Sequence, residues 1–147
     1  MAEPAAEHTV RGTALPAHEQ AAYGELAAAI RENVEARLLD LCEARIDLLL
    51  GRAPWPEGVV LAPRERALLA FVEQYALDAH GVTDDMTAAL HEHFAEPELA
   101  ALTVAVAFFD GSARFAKALG VPADPAVAAR LRAGAGAGDR PQPPTRR

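Results

Sequence analysis

Five side chains place polar chemistry beside apolar stripes: Asp40, Cys42, Arg45, Asp110 and Arg114. Asp40, Glu43 and Asp47 follow i, i+3, i+7 and so line one flank of a helix. A carboxylate stripe of that kind can share a proton or hold a cation, and it equally makes a solvated face paired with bases such as Arg37, at a few tenths of a kcal/mol per pair. Arg45 sits next to the apolar stripe, between Leu41 and Cys42 on one side and Leu49 on the other, so its charge must be paired or must reach out to water. Asp110 is its expected partner. Asp110 and Arg114, four apart, share one helix face. Cys42 falls within the stripe itself and reads as a buried thiol, because reactivity needs exposure and positive surroundings. These residues fix no catalytic set; Asp40 and Cys42 are the candidates for one, and Arg45, Asp110 and Arg114 the binding candidates.

Other chemistry-bearing residues lack a partner set. His91 and His93, two apart on a helix, point to different sides and cannot ligate one metal as an i, i+4 pair could, so no metal site is expected. His80 precedes Gly81 at a helix C-terminus, where an imidazolium can meet free carbonyls. Ser112 has no nucleophile-elbow context. With a single cysteine the chain can form no intramolecular disulfide and no CxxC redox pair.

The elements that must position these residues are all helices, with no competing strand pattern. The 147 residues suffice for one core and one domain. Hydrophobic residues make up 51% but aromatics only 5%, so alanine carries much of the apolar content. Small side chains bury little area each, which favours self-association. A net charge of -7, with Lys117 the only lysine, argues against a nucleic-acid surface. No charged and then apolar leader opens the chain, and no apolar run is expected to approach the roughly 20 residues that cross a bilayer, so a cytoplasmic location without membrane contact is expected.

Residues 1–16 read as a flexible arm, 17–132 as the helical domain and 133–147 as a disordered tail. Within the domain, helices are expected over Ala17 to Glu32, with Tyr23, Leu26, Ala27 and Ile30 on one face, and over Glu35 to Leu50, closed by Gly51. The proline-rich stretch from Arg52 to Pro63 is a loop. A third helix runs from Pro63 through Ala79, and a short one, capped by Thr83, ends near Phe94. Leu99 to Phe109 is apolar on every side, so the helix over about 96–119 is expected to run through the middle of the fold and end at Gly120. A weak helix follows from Pro125 to Arg132. The fold class is therefore an all-α bundle of five to six helices around that central apolar helix.

Several of these pieces recur together in a known family. Pro63-Arg-Glu-Arg-Ala-Leu-Leu-Ala-Phe, then Gly81-Val-Thr-Asp-Asp with Leu90 and His93-Phe94, then Glu98-Leu-x-x-Leu and Arg114 before Gly120-Val121, resemble the carboxymuconolactone decarboxylase or alkylhydroperoxidase D-like family over about Glu35 to Val121. The resemblance implies an all-helical fold that assembles as a homo-oligomer, a trimer or hexamer. In the peroxidase branch the chemistry follows a pattern similar to E-x11-C-x2-C-x3-H: one thiolate attacks the peroxide, a second resolves the sulfenic acid, and the acid and histidine relay protons.

Setting the family's arginine and helix-ending glycine on Arg45 and Gly51 places Asp40 at the acid, Arg52 and Trp55 at the two cysteines, and Val59 at the histidine. Only the acid survives, shorter by one methylene. Cys42 lies ten residues before the first lost position and does not replace it. The resemblance therefore implies a degenerate member without two-cysteine peroxidase activity and without a cofactor, and the charged residues beside apolar stripes lead to the expectation that it binds a small molecule in an interhelical pocket near Asp40, Arg45, Asp110 and Arg114, or acts mainly as an assembly unit. The alternatives are an enzyme of the same family, a decarboxylase-like lyase on an anionic lactone or a residual one-cysteine peroxidase, and a purely structural partner protein.

Overall fold

The computed structural model describes residues 17–135. The expected arm over 1–16 and the tail beyond 135 lie outside the described residues. Six α-helices follow one another: α1 (Ala17–Asn33), α2 (Ala36–Leu49), α3 (Pro63–Leu77), α4 (Asp84–His91), α5 (Glu96–Ala118) and α6 (Pro125–Ala135), with a 3-10 turn over Ala79–Gly81 before α4. The described residues contain no strand. The all-α bundle of five to six helices expected from periodicity is what forms.

Local chemistry sets the helix ends. At the close of α2, Gly51 adopts a φ of 67°, and the Gly51 and Arg52 amides donate to the carbonyls of Leu48 and Asp47. Gly120 repeats this at the close of α5, with φ 70° and amides of Gly120 and Val121 donating to Lys117 and Ala116. Both are the paired closing bonds that a left-handed residue permits, and glycine adopts that conformation without steric cost. Thr83 caps α4 through the Met86 amide, as its position suggests. By contrast, α3 stops at Leu77 rather than Ala79, because Asp78 turns extended and its carboxylate takes the His80 amide. The imidazole of His80 is fully exposed and faces the Asp78 carboxylate at 3.8 Å instead of capping carbonyls. The last helix, α6, runs three residues past the expected end at Arg132.

The helix directions follow from the ion pairs. Arg37 bonds Glu65 at 2.7 Å and Arg45 faces Glu73 at 3.7 Å, the same offset along both helices, so α2 and α3 run parallel. Helix α5 runs the same way. At the starting end Arg64 joins Glu35 at 2.9 Å and Glu98 at 3.7 Å, and at the finishing end Lys117 Nζ donates to the Leu50 carbonyl at 2.6 Å. Helix α6 runs back across them, with Arg130 on Asp40 and Gly134 against Arg37.

Three parallel helices bring like dipole ends together, and the chain answers with charge. Glu35, Glu65, Glu96 and Glu98 gather at the positive ends. Cations donate to carbonyls at the negative ends: Lys117 to Leu50, Arg114 to Ala76 at 2.6 Å, and Arg52 to Val121 at 3.3 Å. Each such placement contributes about 0.3–1 kcal/mol.

The centre of the bundle is α2 rather than α5. Eight residues of α2's fourteen are buried, against six of twenty-three in α5, and α2 touches α3, α5 and α6. Leu38, Leu39, Cys42 and Ile46 enter the main core with Leu68, Val72, Leu102, Val106 and Phe109. Leu41 and Ala44, on the other side of α2, build a second cluster with Leu69, Val127 and Leu131, roofed by Trp55, Val59 and Leu61 of the return loop.

The outer face of α5 carries Ala100, Val104, Ala107, Gly111, Phe115 and Ala118 and is exposed. The expectation that this helix is covered on all sides fails for the single chain, because no described element packs there. At 23 residues α5 is also long and apolar enough to cross a membrane by length and composition, although it packs on α1, α2 and α4 and bears the Asp110–Arg114 pair.

Candidate functional site

The five candidate residues are held by different partners and do not form one cluster. Asp40, buried on the α6 side of α2, takes a forked contact from Arg130, with Nε to Oδ2 at 2.9 Å and Nη2 to Oδ1 at 2.6 Å. Two parallel N–H donors on one carboxylate make the strongest common geometry for this pair. The Arg130 guanidinium is held above its usual range chiefly by this hydrogen bond, against some loss of solvation. Asp40 is thereby a structural acid joining α6 to the bundle.

Cys42 has no solvent exposure, and burial pushes its thiol up to about 12. A thiol that stays protonated and out of reach is neither a nucleophile nor a metal ligand at physiological pH.

The expected pairing of Arg45 with Asp110 is overturned. Arg45 leans to the opposite side of α2, where its guanidinium carbon sits 4.6 Å from the centre of the Trp55 ring and Nη1 lies 3.7 Å from Glu73 Oε2. Its Nε is buried and finds no acceptor among the described residues. Asp110 is taken instead by Arg114 one turn on, with both carboxylate oxygens within 3.0 Å of Arg114 Nε, while Arg114 Nη2 binds the Ala76 carbonyl. That pair ties α5 to the end of α3. The convergence of Asp40, Arg45, Asp110 and Arg114 on one interhelical space is therefore corrected: Asp40 and Arg45 belong to the side of α2 that faces the return loop and α6, and Asp110 and Arg114 to the α3–α5 seam.

The positions that the resemblance aligns with redox residues are packed or paired. Arg52 forms an ion pair with Asp47, whose side chain is 4% exposed, and its Nε is likewise buried without an acceptor. Burial raises the Asp47 carboxyl above its usual range, more than the Arg52 charge lowers it. Trp55 and Val59 lie on the second apolar cluster. Among the described residues no three His, Cys, Asp or Glu side chains are grouped to hold a metal ion. Of the remaining polar candidates, Ser112 donates to the Phe108 carbonyl at 2.6 Å and accepts from the Tyr23 hydroxyl at 3.0 Å, which docks α1 on α5. His91 faces Glu96 at 3.6 Å on the surface.

Three participants escaped the sequence reading. Arg130 and Glu73 lie far along the chain from their partners, and nothing in a single helix pattern announces such pairings. Trp55 had a signal, since a lone tryptophan in a proline-rich loop needs an apolar seat, and the seat proves to include Arg45. No family model and no curated protein matches the sequence.

Proposed function

We propose that this protein is a degenerate alkylhydroperoxidase D-like helical protein that does not reduce peroxides. It acts as a binding and assembly unit in the cytoplasm, taking a small molecule between its helices and working as a homo-oligomer, a trimer or hexamer. One observation carries the reading: the loop that would bear the redox pair is closed over an apolar cluster by Trp55 and Val59, with Arg52 spent on Asp47. The only thiol is buried in the main core and pushed up to about 12 by that burial, and the one acid left from the pattern is forked by Arg130. A lyase on an anionic lactone needs a free acid and base near its substrate, and Asp40 is not free.

Assembly is supported by the apolar face of α5. Val104, Phe115 and Leu119 are each close to half exposed, as is Leu26 on α1. Covering apolar surface gains about 25 cal/mol per Å², and a second copy supplies the matching face by symmetry.

Hydrogen peroxide or cumene hydroperoxide with a dithiol-regenerating system tests the catalytic part. Consumption at the background rate, unchanged in Cys42→Ala, is the expected result. Turnover well above background that Cys42→Ala abolishes would overturn the proposal.

A further inference from the structure

Arginines in this fold are consumers of acceptors. Arg37, Arg52, Arg64, Arg66, Arg114 and Arg130 each donate at least one hydrogen bond to a carboxylate or a backbone carbonyl. Arg45 donates none. Its nearest acid oxygen, on Glu73, stands at 3.7 Å, beyond hydrogen-bond length, and its Nε is buried without an acceptor. A guanidinium has five donors in a fixed plane and is too basic to shed its charge, so leaving it without acceptors is costly.

The Arg45 guanidinium carbon lies 4.6 Å from the centre of the Trp55 ring, and Trp55 packs on the second apolar cluster, a seat that restricts the fork before any ligand arrives. The Arg45 side chain is 23% exposed and the Glu73 side chain 47% exposed. The Arg45 side chain is thus partly open to water, and the half-exposed Glu73 side chain can swing out into it.

We propose that Arg45, backed by Trp55, binds the carboxylate of a small organic acid with an apolar body, which displaces Glu73 and accepts the forked donors that no group among the described residues takes. A planar carboxylate matches the fork with two parallel bonds. The apolar body lies against the exposed edge of Trp55. Glu73 is then a gate of like charge: it holds the cation when no ligand is present and opposes an anion that approaches.

This inference rests on the reading of the domain as a binding protein, and it assigns the class of ligand. Its test is independent of peroxide chemistry. Trp55 is the only tryptophan, so its emission reports on this site alone. The probe is sodium cyclohexanecarboxylate, which does not absorb where tryptophan does, with the neutral cyclohexanecarboxamide as control. The expected result is a saturable change in Trp55 emission with a midpoint in the millimolar range, as one charge-assisted contact and a small apolar body allow, a Kd of about 1 mM. The amide should give no such change. Glu73→Gln, an exposed substitution that leaves the core untouched, should tighten the midpoint several-fold, and Arg45→Gln should abolish it while the far-ultraviolet circular dichroism stays native.

Saturation that survives in Arg45→Gln, an equal response to the amide, or a Glu73→Gln midpoint no tighter than wild type would each overturn the proposal. So would equal binding of inorganic phosphate, which points to a generic anion rather than a carboxylate. Absence of both binding and peroxide turnover removes this inference alone. Binding together with peroxide turnover removes the earlier reading alone.

Discussion

At the scale of single residues, each candidate group has its chemistry decided by one neighbour. Asp40 and Asp47 are neighbours on one flank of α2, yet the first meets a forked arginine across a helix interface and the second meets Arg52 in a more enclosed place. Removing Arg52 strands a buried carboxylate, so Arg52→Met is expected to cost about 3–5 kcal/mol in urea unfolding at neutral pH. The sign of its pH dependence follows from Asp47. A carboxyl raised above its unfolded value by burial binds a proton more readily in the folded state, so the variant should regain stability as the pH falls through that raised pKa. Wild-type protein carries an opposing group in Glu65. Burial pushes that carboxyl up, but hydrogen bonds from Arg37 and the Ala62 amide, with the nearby arginine charges, outweigh it and hold it below its usual range. Its contribution is present above the unfolded pKa and is lost as the pH falls through the lowered folded one, which Glu65→Gln should remove from an acid-unfolding curve. None of these pairings was legible in the sequence. Residue types and helix faces were, but Arg45 has acids on several helices within plausible reach, and only the packing of α2 against α3 and the return loop selects Glu73 over Asp110.

At the scale of elements, three parallel helices are held by cations at their shared negative ends and by two glycine closures. Both closures were legible, since glycine after an apolar stripe is a strong stop signal. Gly51→Ala and Gly120→Ala meet open space for the added carbon but force it into left-handed backbone, so each is expected to lower stability by about 1–2 kcal/mol in chemical denaturation. A result near zero would mean that the loop rebuilds. Lys117→Met, which removes the donor to the Leu50 carbonyl, should cost about 0.3–1 kcal/mol and the loss should shrink at high salt. The place of α5 was misread for a physical reason. A helix that is apolar all round announces that both faces avoid water, and it says nothing of whether its own chain or another copy covers the second face. The proline-rich loop was legible as a loop, whereas its long return beside α2, which makes α2 and α3 parallel, depends on where Trp55 and Val59 find their seats.

At the scale of the whole molecule, the described residues of an alanine-rich bundle leave one helix face uncovered and enclose the single thiol. The uncovered face should decide association: Val104→Glu and Phe115→Glu place charge on it, and light scattering at micromolar protein should show the wild-type oligomer falling to a monomer in the double variant. A wild-type protein that is already monomeric would contradict that assembly. The enclosed thiol carries the larger proposal, that a helical scaffold resembling a redox family works without redox chemistry. Folded protein is exposed to cumene hydroperoxide, and the peptide that contains Cys42 is then examined by mass spectrometry beside the same peptide from chain treated while unfolded in urea. The account predicts that Cys42 gains no oxygen in the folded protein and is readily oxidised in the unfolded one. Rapid formation of a sulfenic acid on folded Cys42, reversed by an added thiol, would contradict it.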